Sequence, residues 1–160
     1  MDTLLPQAAR IAALLKARKQ TIAVAESSAG GLLAATLLAV PGASAYFLGG
    51  AVVYTKQARS LLMGIGDAEM KGLRSSSEPY AMLLARASRT RFETTWGLAE
   101  TGASGPSGNR YGDAAGHTCV ALSGPLEKVL TLETGSADRV ANMRAFTRAA
   151  LTLLEESLAV

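Results

Sequence analysis

The sequence predicts a three-layer α/β/α domain on a mostly parallel sheet, and three observations carry that prediction. Amphipathic helical segments alternate with short apolar strand-type runs over the first two-thirds of the chain. Two strand-type runs then follow one another, and a long amphipathic segment closes the sequence. Alternating helices and strands build parallel neighbours, while consecutive strands add an antiparallel hairpin near one edge. At 160 residues the chain is long enough for one hydrophobic core, so residues 1–160 read as a single domain.

The elements follow in order. Residues 4–19 set Ala8, Ile11, Ala12 and Leu15 on one helical face, with Pro6 near the first turn. Thr21–Ala25 is a short strand that runs into Glu26-Ser27-Ser28-Ala29-Gly30-Gly31. Leu32–Val40 then reads as a buried helix stopped by Pro41-Gly42. Gly50–Tyr54 is a second strand, followed by a short helix that holds Arg59, Leu61 and Leu62. Ser77 is placed to cap the next helix, with Pro79 in its first turn, and that helix continues to about Phe92. Thr94–Ala99 is a third strand, and Glu100–Asn109 is too rich in Gly and Ser for regular structure. Gly116–Ser123 and Lys128–Thr134 are strands joined at Gly124-Pro125. The last helix, Asp138 to about Leu158, turns Val140, Met143, Phe146, Ala150, Leu153 and Leu154 inward.

Composition removes several classes of protein. Hydrophobic residues make up 49% of the chain and charged ones only 18%, which excludes a disordered polypeptide. The longest nearly apolar run, residues 32–40, falls well short of the roughly 20 residues that span a bilayer. Asp2, Gln7 and Arg10 break the pattern of a secretory signal. The lone Cys119 forms no internal disulfide and lacks companions for a metal site. These features predict a cytoplasmic globular domain without metal or cofactor, and Met1 ahead of a helix suits a stand-alone chain. The formal net charge of +3 invites a nucleic-acid reading. Lys16, Arg18 and Lys19 close one helix, however, and Arg86, Arg89 and Arg91 close another, where cations complement the helix dipole. With few aromatics and no basic run among them, no nucleic-acid footprint is predicted.

Chemistry is expected at one rim. Ligands of open α/β sheets bind beyond the carboxyl ends of the strands, and three polar loops follow strands here: Glu26–Gly31, Tyr54–Arg59 and Thr101–Asn109. The first joins a buried strand to a buried helix. Its helix N–H groups are expected to be free for an anion, and Gly30 and Gly31 allow close approach. Ser27 or Ser28 is then a nucleophile beside an oxyanion site, or simply the helix cap. The segment is neither a P-loop nor Gly-x-Ser-x-Gly. Thr101–Asn109 reads as a second anion nest or as a flexible loop. His117 lies in a strand with no partners for a triad and is assigned to structure. Cys119, Trp96 and Tyr80 are assigned to packing.

In this order the loops resemble the CinA C-terminal domain family, the nicotinamide-nucleotide amidases, over nearly the whole chain. The family's Ala-Glu-Ser-Cys-Thr-Gly-Gly stands here as Ala25-Glu26-Ser27-Ser28-Ala29-Gly30-Gly31. Pro41–Phe47, Gly49–Thr55, Ser77-Glu78-Pro79, Thr101–Pro106 and Asp138-Arg139 match further family motifs. The resemblance implies a three-layer α/β/α domain, often a homo-oligomer, that hydrolyses the carboxamide of nicotinamide mononucleotide to nicotinate mononucleotide and ammonia. It places Ser27 on the nucleophile and Tyr54 and Thr101 on polar pocket positions. It also places Ser28, Gly30, Gly31, Gly102, Ser104 and Gly105 around the substrate, with Arg139 holding the nucleotide.

The departures leave two readings. Where the family has a lysine working beside the serine, Tyr54-Thr55-Lys56-Gln57-Ala58-Arg59 puts Arg59. A guanidinium keeps its proton in proteins and cannot serve as general base. Ala29 replaces the family threonine, and Asp113-Ala114-Ala115 replaces Lys-Pro-Val. Either the domain is still an amidohydrolase, with Lys56 or Tyr54 in the lost role, or it is a catalytically silent relative that keeps the nucleotide pocket. Lys56 shares the face of Tyr54 if the strand continues that far. An unrelated interaction module is the remaining alternative.

Overall fold

The computed structural model describes all 160 residues. Five strands form one sheet in the order β2-β1-β3-β4-β5: β1 (Ile22–Glu26), β2 (Phe47–Val52), β3 (Trp96–Ala103), β4 (His117–Ser123) and β5 (Lys128–Glu133). β1 pairs in parallel with both β2 and β3, whereas β3–β4 and β4–β5 are antiparallel. Only β4 therefore runs against the rest. Helices α1 (Leu5–Ala17), α2 (Leu32–Leu38) and α5 (Arg139–Leu158) cover one face. The short α3 (Lys56–Met63) and the longer α4 (Glu78–Phe92) cover the other, which gives the predicted three layers.

The pleat sorts side chains by size. Ile22, Val24, Trp96, Leu98, Val120 and Leu122 point into the core under α1, α2 and α5. Ala25, Ala99, Cys119 and Ala121 point the other way, toward Tyr80, Ala81, Leu84 and Ala85 of α4. Small residues on that face let α4 lie close: a Cβ on Gly97 would stand 2.0 Å from the Ala85 carbonyl oxygen. Ser77 caps α4 as predicted, accepting from the Tyr80 amide at 3.4 Å, with Pro79 in the first turn. Asp138 caps α5 in the same way, through the Ala141 amide at 3.0 Å.

Several boundaries differ from the sequence reading. β3 does not end at Ala99 but continues through Thr101 and Gly102, because β4 supplies a ladder as far as Ala103↔His117. Gly102 suits the strand because a Cβ there would lie 2.3 Å from the His117 carbonyl oxygen. β2 begins at Phe47 and stops at Val52, so Lys56 opens α3 and does not extend a strand face shared with Tyr54. α2 stops at Leu38, itself exposed, and not at Val40. Val140 of α5 points outward, 56% exposed, while Asn142 beside it is buried.

Candidate functional site

Parallel β1, β2 and β3 end on one rim, and β4 begins there. The chain leaves β1 for β2 on one side and returns to β3 on the other, which opens a crevice at the strand ends beside β1. Glu26 and Glu100 sit side by side in register across it. Both are fully buried, and both are used to build the turn between them.

The Glu26 carboxylate accepts from the Leu33 and Ala34 amides of α2 at 3.0 and 2.9 Å. The free helix terminus expected for an anion is therefore filled by the chain's own acid, and the cap is neither Ser27 nor Ser28. Burial is the main cause that pushes the Glu26 carboxyl up to about 7; the amide bonds from Ala34 and Leu33 oppose it. Glu100 accepts from the Ser27 amide at 3.1 Å, the Ala29 amide at 2.8 Å, the Thr118 hydroxyl at 2.9 Å and the Ser28 hydroxyl. Burial raises its pKa as well, against the bond from Ser28. With Ser28 and the turn amides tied down, the Ser27 hydroxyl is the free one, half-buried and facing the crevice.

Two cavities open above this turn and share Tyr54 and Gly102 as a wall. The first, about 190 Å³, brings together Ser27, Lys56, Arg59 and Thr101, four of the five residues assigned to catalysis, and Tyr54 completes the set. Ser75, Ser76 and Tyr80 also line it. The second, about 250 Å³, brings together Ser28, Gly102, Ser104, Gly105 and Arg139 with Ser107, Gly108 and Asn109. Gly30 and Gly31 line neither: they border a separate groove toward Val140 and Met143. A Cβ on Gly30 would come within 2.9 Å of Met143 Cε, so this pair serves the packing of α2 beside α5.

Arg59 is only 8% exposed, with its guanidinium 5.7 Å from the Tyr80 ring centroid. Its Nη1 reaches Ser75 Oγ at 3.5 Å and its Nε has no partner. Lys56 is exposed and its ammonium is bound to Asp67, 2.7 Å from Oδ1 and 3.0 Å from Oδ2. Tyr54 Oη accepts from Arg139 Nη2 at 3.3 Å, and Arg139 Nη1 donates to the Gly105 carbonyl. That pair ties the loop after β2 to the start of α5. The Ser104 hydroxyl is buried and unpartnered, whereas the Ser104 carbonyl accepts from Asn142 at 2.8 Å.

A strap closes the first cavity from the α4 side. Ser76 adopts a positive φ of 55°, rare for a residue with a side chain. Its amide donates to Thr101 Oγ1 at 3.2 Å and its carbonyl accepts from His117 Nε2 at 2.8 Å. His117 Nδ1 meets Glu133, and Asp113 lies 3.6 Å from Nε2, so the ring faces acceptors on both sides. Burial opposes a charge on His117, but the bonds to Glu133 and Ser76 and the charge of Asp113 outweigh it and raise its pKa. His117 thus fastens the strap, in keeping with the structural assignment.

Sequence reasoning named the residues that line the cavities better than those that hold them. Glu100, Thr118, Ser76 and Asn142 were missed. The available signal for Glu100 was an acid closing the apolar run Trp96–Ala99 with no basic residue near it in the sequence, which requires donors from elsewhere.

Comparison with known proteins agrees with this fold. The model of the CinA C-terminal domain family matches residues 5–158. A CinA-like protein of Gloeobacter violaceus is 39% identical over 159 residues, 98% of this chain and 37% of that protein. One from an Anaeromyxobacter species is 38% identical over 94% of this chain and 37% of its own length. The chain thus spans well under half the length of these curated relatives. Among solved structures, a competence-damaged protein (CinA) superfamily protein from Klebsiella pneumoniae is 25% identical, with a TM-score of 0.91 and 98% of each chain covered. The competence/damage inducible protein of Agrobacterium tumefaciens is 26% identical at a TM-score of 0.90, over 98% of this chain and 96% of that one.

Proposed function

The chain belongs to the CinA C-terminal domain family, and on that footing we propose that its cleft binds a pyridine mononucleotide of the nicotinamide mononucleotide class without rapid hydrolysis. The observation that carries this reading is the pair of joined cavities. One holds a free serine hydroxyl and a buried guanidinium, and the other a glycine-rich loop beside Arg139. The ring end lies toward Ser27. The phosphate lies toward residues 104–109 and Arg139, where a cation lines the cavity beside a glycine-rich loop.

Attack on an amide requires a group that takes the serine proton and delivers it to the departing ammonia. None is poised beside Ser27. Arg59 keeps its proton, Lys56 is held by Asp67, Glu26 and Glu100 are spent on the turn, and His117 is spent on the strap. Binding without turnover is therefore the reading that the geometry supports best.

A second reading, Ser27-dependent hydrolysis of nicotinamide mononucleotide to nicotinate mononucleotide and ammonia, is favoured by the unbonded Ser27 hydroxyl in a cavity that Lys56 also lines. It needs Lys56 to leave Asp67 and lose a proton, or Tyr54 to accept one.

Ammonia release measured beside calorimetric binding separates the two. The expected result is binding with no Ser27-dependent ammonia at high protein concentration, and gain of turnover in Arg59→Lys. Ammonia release by the wild type that disappears in Ser27→Ala overturns the silent reading, and Lys56→Ala then tests the proposed base. Neither binding nor release overturns both. A homo-oligomer, with the exposed Leu48 and Val52 of edge strand β2 in its interface, belongs to the same proposal and is tested by light scattering. No helix is long and apolar enough to cross a membrane.

A further inference from the structure

We propose that the Arg59 end of the cleft is a carboxylate subsite, so that the nucleotide preferred by this chain carries an acid, not an amide, on its ring. The inference rests on the nucleotide-binding reading above and on neither account of hydrolysis.

Three exposed arginines of the chain have carboxylate partners, and the buried Arg59 has none. Arg10, Arg74 and Arg86, with side chains 60%, 41% and 60% exposed, each meet a carboxylate. Arg59, 8% exposed, takes part in none of the chain's ion pairs. A buried charge is costly unless it is paired and hydrogen-bonded. Within the chain Arg59 has one long contact to Ser75, the face of Tyr80, the more distant charge of Asp67 (itself bound to Lys56), and an Nε with nothing to donate to. A guanidinium kept in that state at the wall of a cavity is matched to an anion from outside the chain.

The shape of the group selects which anion. A guanidinium presents parallel N–H donors in a plane, and a carboxylate accepts both at once. A carboxamide offers one acceptor oxygen and sets its own NH₂ against those donors, so the same position repels half of the amide. Ser27, Thr101 and Ser76 line the same cavity of about 190 Å³ and supply further polar contacts around such a group. The phosphate has a better place at the far end, where Arg139 and the 104–109 loop line the larger cavity. The ligand implied is a ring carboxylate joined through a sugar to a phosphate, with one anion for each arginine.

The test is calorimetric titration of nicotinate mononucleotide and nicotinamide mononucleotide into the wild-type protein, Arg59→Met and Arg59→Lys. Wild type is expected to bind the acid about tenfold or more tightly than the amide, the scale of a charge-assisted hydrogen bond. In Arg59→Met the ratio falls toward one, chiefly through loss of acid affinity, and in Arg59→Lys, titrated in a Ser27→Ala background so that the amide survives the measurement, it is intermediate. Equal affinities in wild type, or a preference for the amide, overturn the subsite while leaving nucleotide binding intact. So does an Arg59→Met protein that keeps the full preference. Failure of wild type to bind either nucleotide overturns the nucleotide reading and this inference together. Should Arg59→Met not fold by circular dichroism, the wild-type ratio and Arg59→Lys still decide.

Discussion

Two buried carboxylates and two buried donors on the same rim are treated in opposite ways. Glu26 and Glu100 are enclosed at the ends of β1 and β3, and between them they accept from four backbone amides and two hydroxyls. Arg59 and Ser104 are buried almost as deeply, and Arg59 Nε and Ser104 Oγ have no partner in the chain. The acids spend their bonding capacity on the shape of the Ser27 turn, whereas Arg59 and Ser104, in the walls of the two cavities, each keep a buried polar atom unpartnered. Bonding partners, more than burial, separate the residues that shape this site from those left for the proposed ligand.

That contrast is broken most directly at Glu100. Glu100→Leu strips the only acceptor from the Ala29 amide and the Ser28 hydroxyl, whereas the Ser27 amide keeps the residue-100 carbonyl and the Thr118 hydroxyl keeps the Thr101 carbonyl. Each stranded buried donor costs about 1–3 kcal/mol, so a loss of about 2–6 kcal/mol is expected in urea unfolding. Ser28→Ala, which removes one of the four donors, is expected to cost only about 1 kcal/mol. A Glu100→Leu protein within about 1 kcal/mol of wild type would contradict the role given to this carboxylate.

Glu26 gives a pH signature of slightly smaller size. Its folded pKa of about 7 lies above the ordinary glutamate value of 4.5, so the native protein resists ionisation that the unfolded chain accepts. Its effect is absent below the unfolded value and destabilises progressively as pH rises from about 4.5 to about 7. At about 1.4 kcal/mol per unit the loss is about 3.5 kcal/mol. Glu100 and His117, whose pKa values are also raised, act in the same direction. Urea midpoints at pH 5 and pH 8 should show the protein more stable in acid, with Glu26→Gln losing the largest part of that difference. A flat profile in wild type would remove the argument.

The elements were legible in the sequence wherever local chemistry decides them. Ser77 and Pro79 start α4, Asp138 starts α5, and the size-sorted pleat of β1 and β3 is written in alternating large and small residues. What was not legible depends on distant partners. Gly102 and Ala103 read as loop from composition and become strand only because β4 lies alongside. Glu26 and Glu100 read as the first residues of polar loops, since the amides they hold are supplied by a turn and a helix terminus across the rim. Gly30 and Gly31 read as cleft walls, but the chain after Ser28 turns away toward Met143. The three converging loops, by contrast, required only parallel strands, and Ser27, Tyr54, Arg59 and Thr101 meet as that topology demands.

At the donor pair the sign should reverse. Arg59→Met removes a buried charge that forms no ion pair in the chain, Asp67 acting on it only from a distance while bound to Lys56, and keeps much of the packing on Tyr80. The free protein is expected to be as stable as wild type or more stable by about 1 kcal/mol, the common outcome when a buried charge gives way to an apolar side chain. Added nicotinate mononucleotide should raise the melting temperature of wild type more than that of the variant. A free variant destabilised by more than about 2 kcal/mol would move Arg59 into the group with Glu100, as a residue that holds the fold.

Ser104→Ala is the finest discrimination. The Ser104 hydroxyl is 2% exposed and bonded to nothing in the chain, while the Asn142 side chain holds the loop through the Ser104 carbonyl, which alanine keeps. Deleting an unsatisfied buried hydroxyl leaves no stranded partner, so the free protein should stay within about 0.5 kcal/mol of wild type by urea unfolding. Its place beside Arg139 predicts that the same change weakens both mononucleotides alike, by a factor of about 5–10, because it acts at the phosphate end and does not distinguish acid from amide. Arg59→Met is expected to change their ratio, and Ser104→Ala to lower both and preserve it. If Ser104→Ala shifts the ratio, the two ends of the cleft have been assigned the wrong way round, and the carboxylate lies with Arg139.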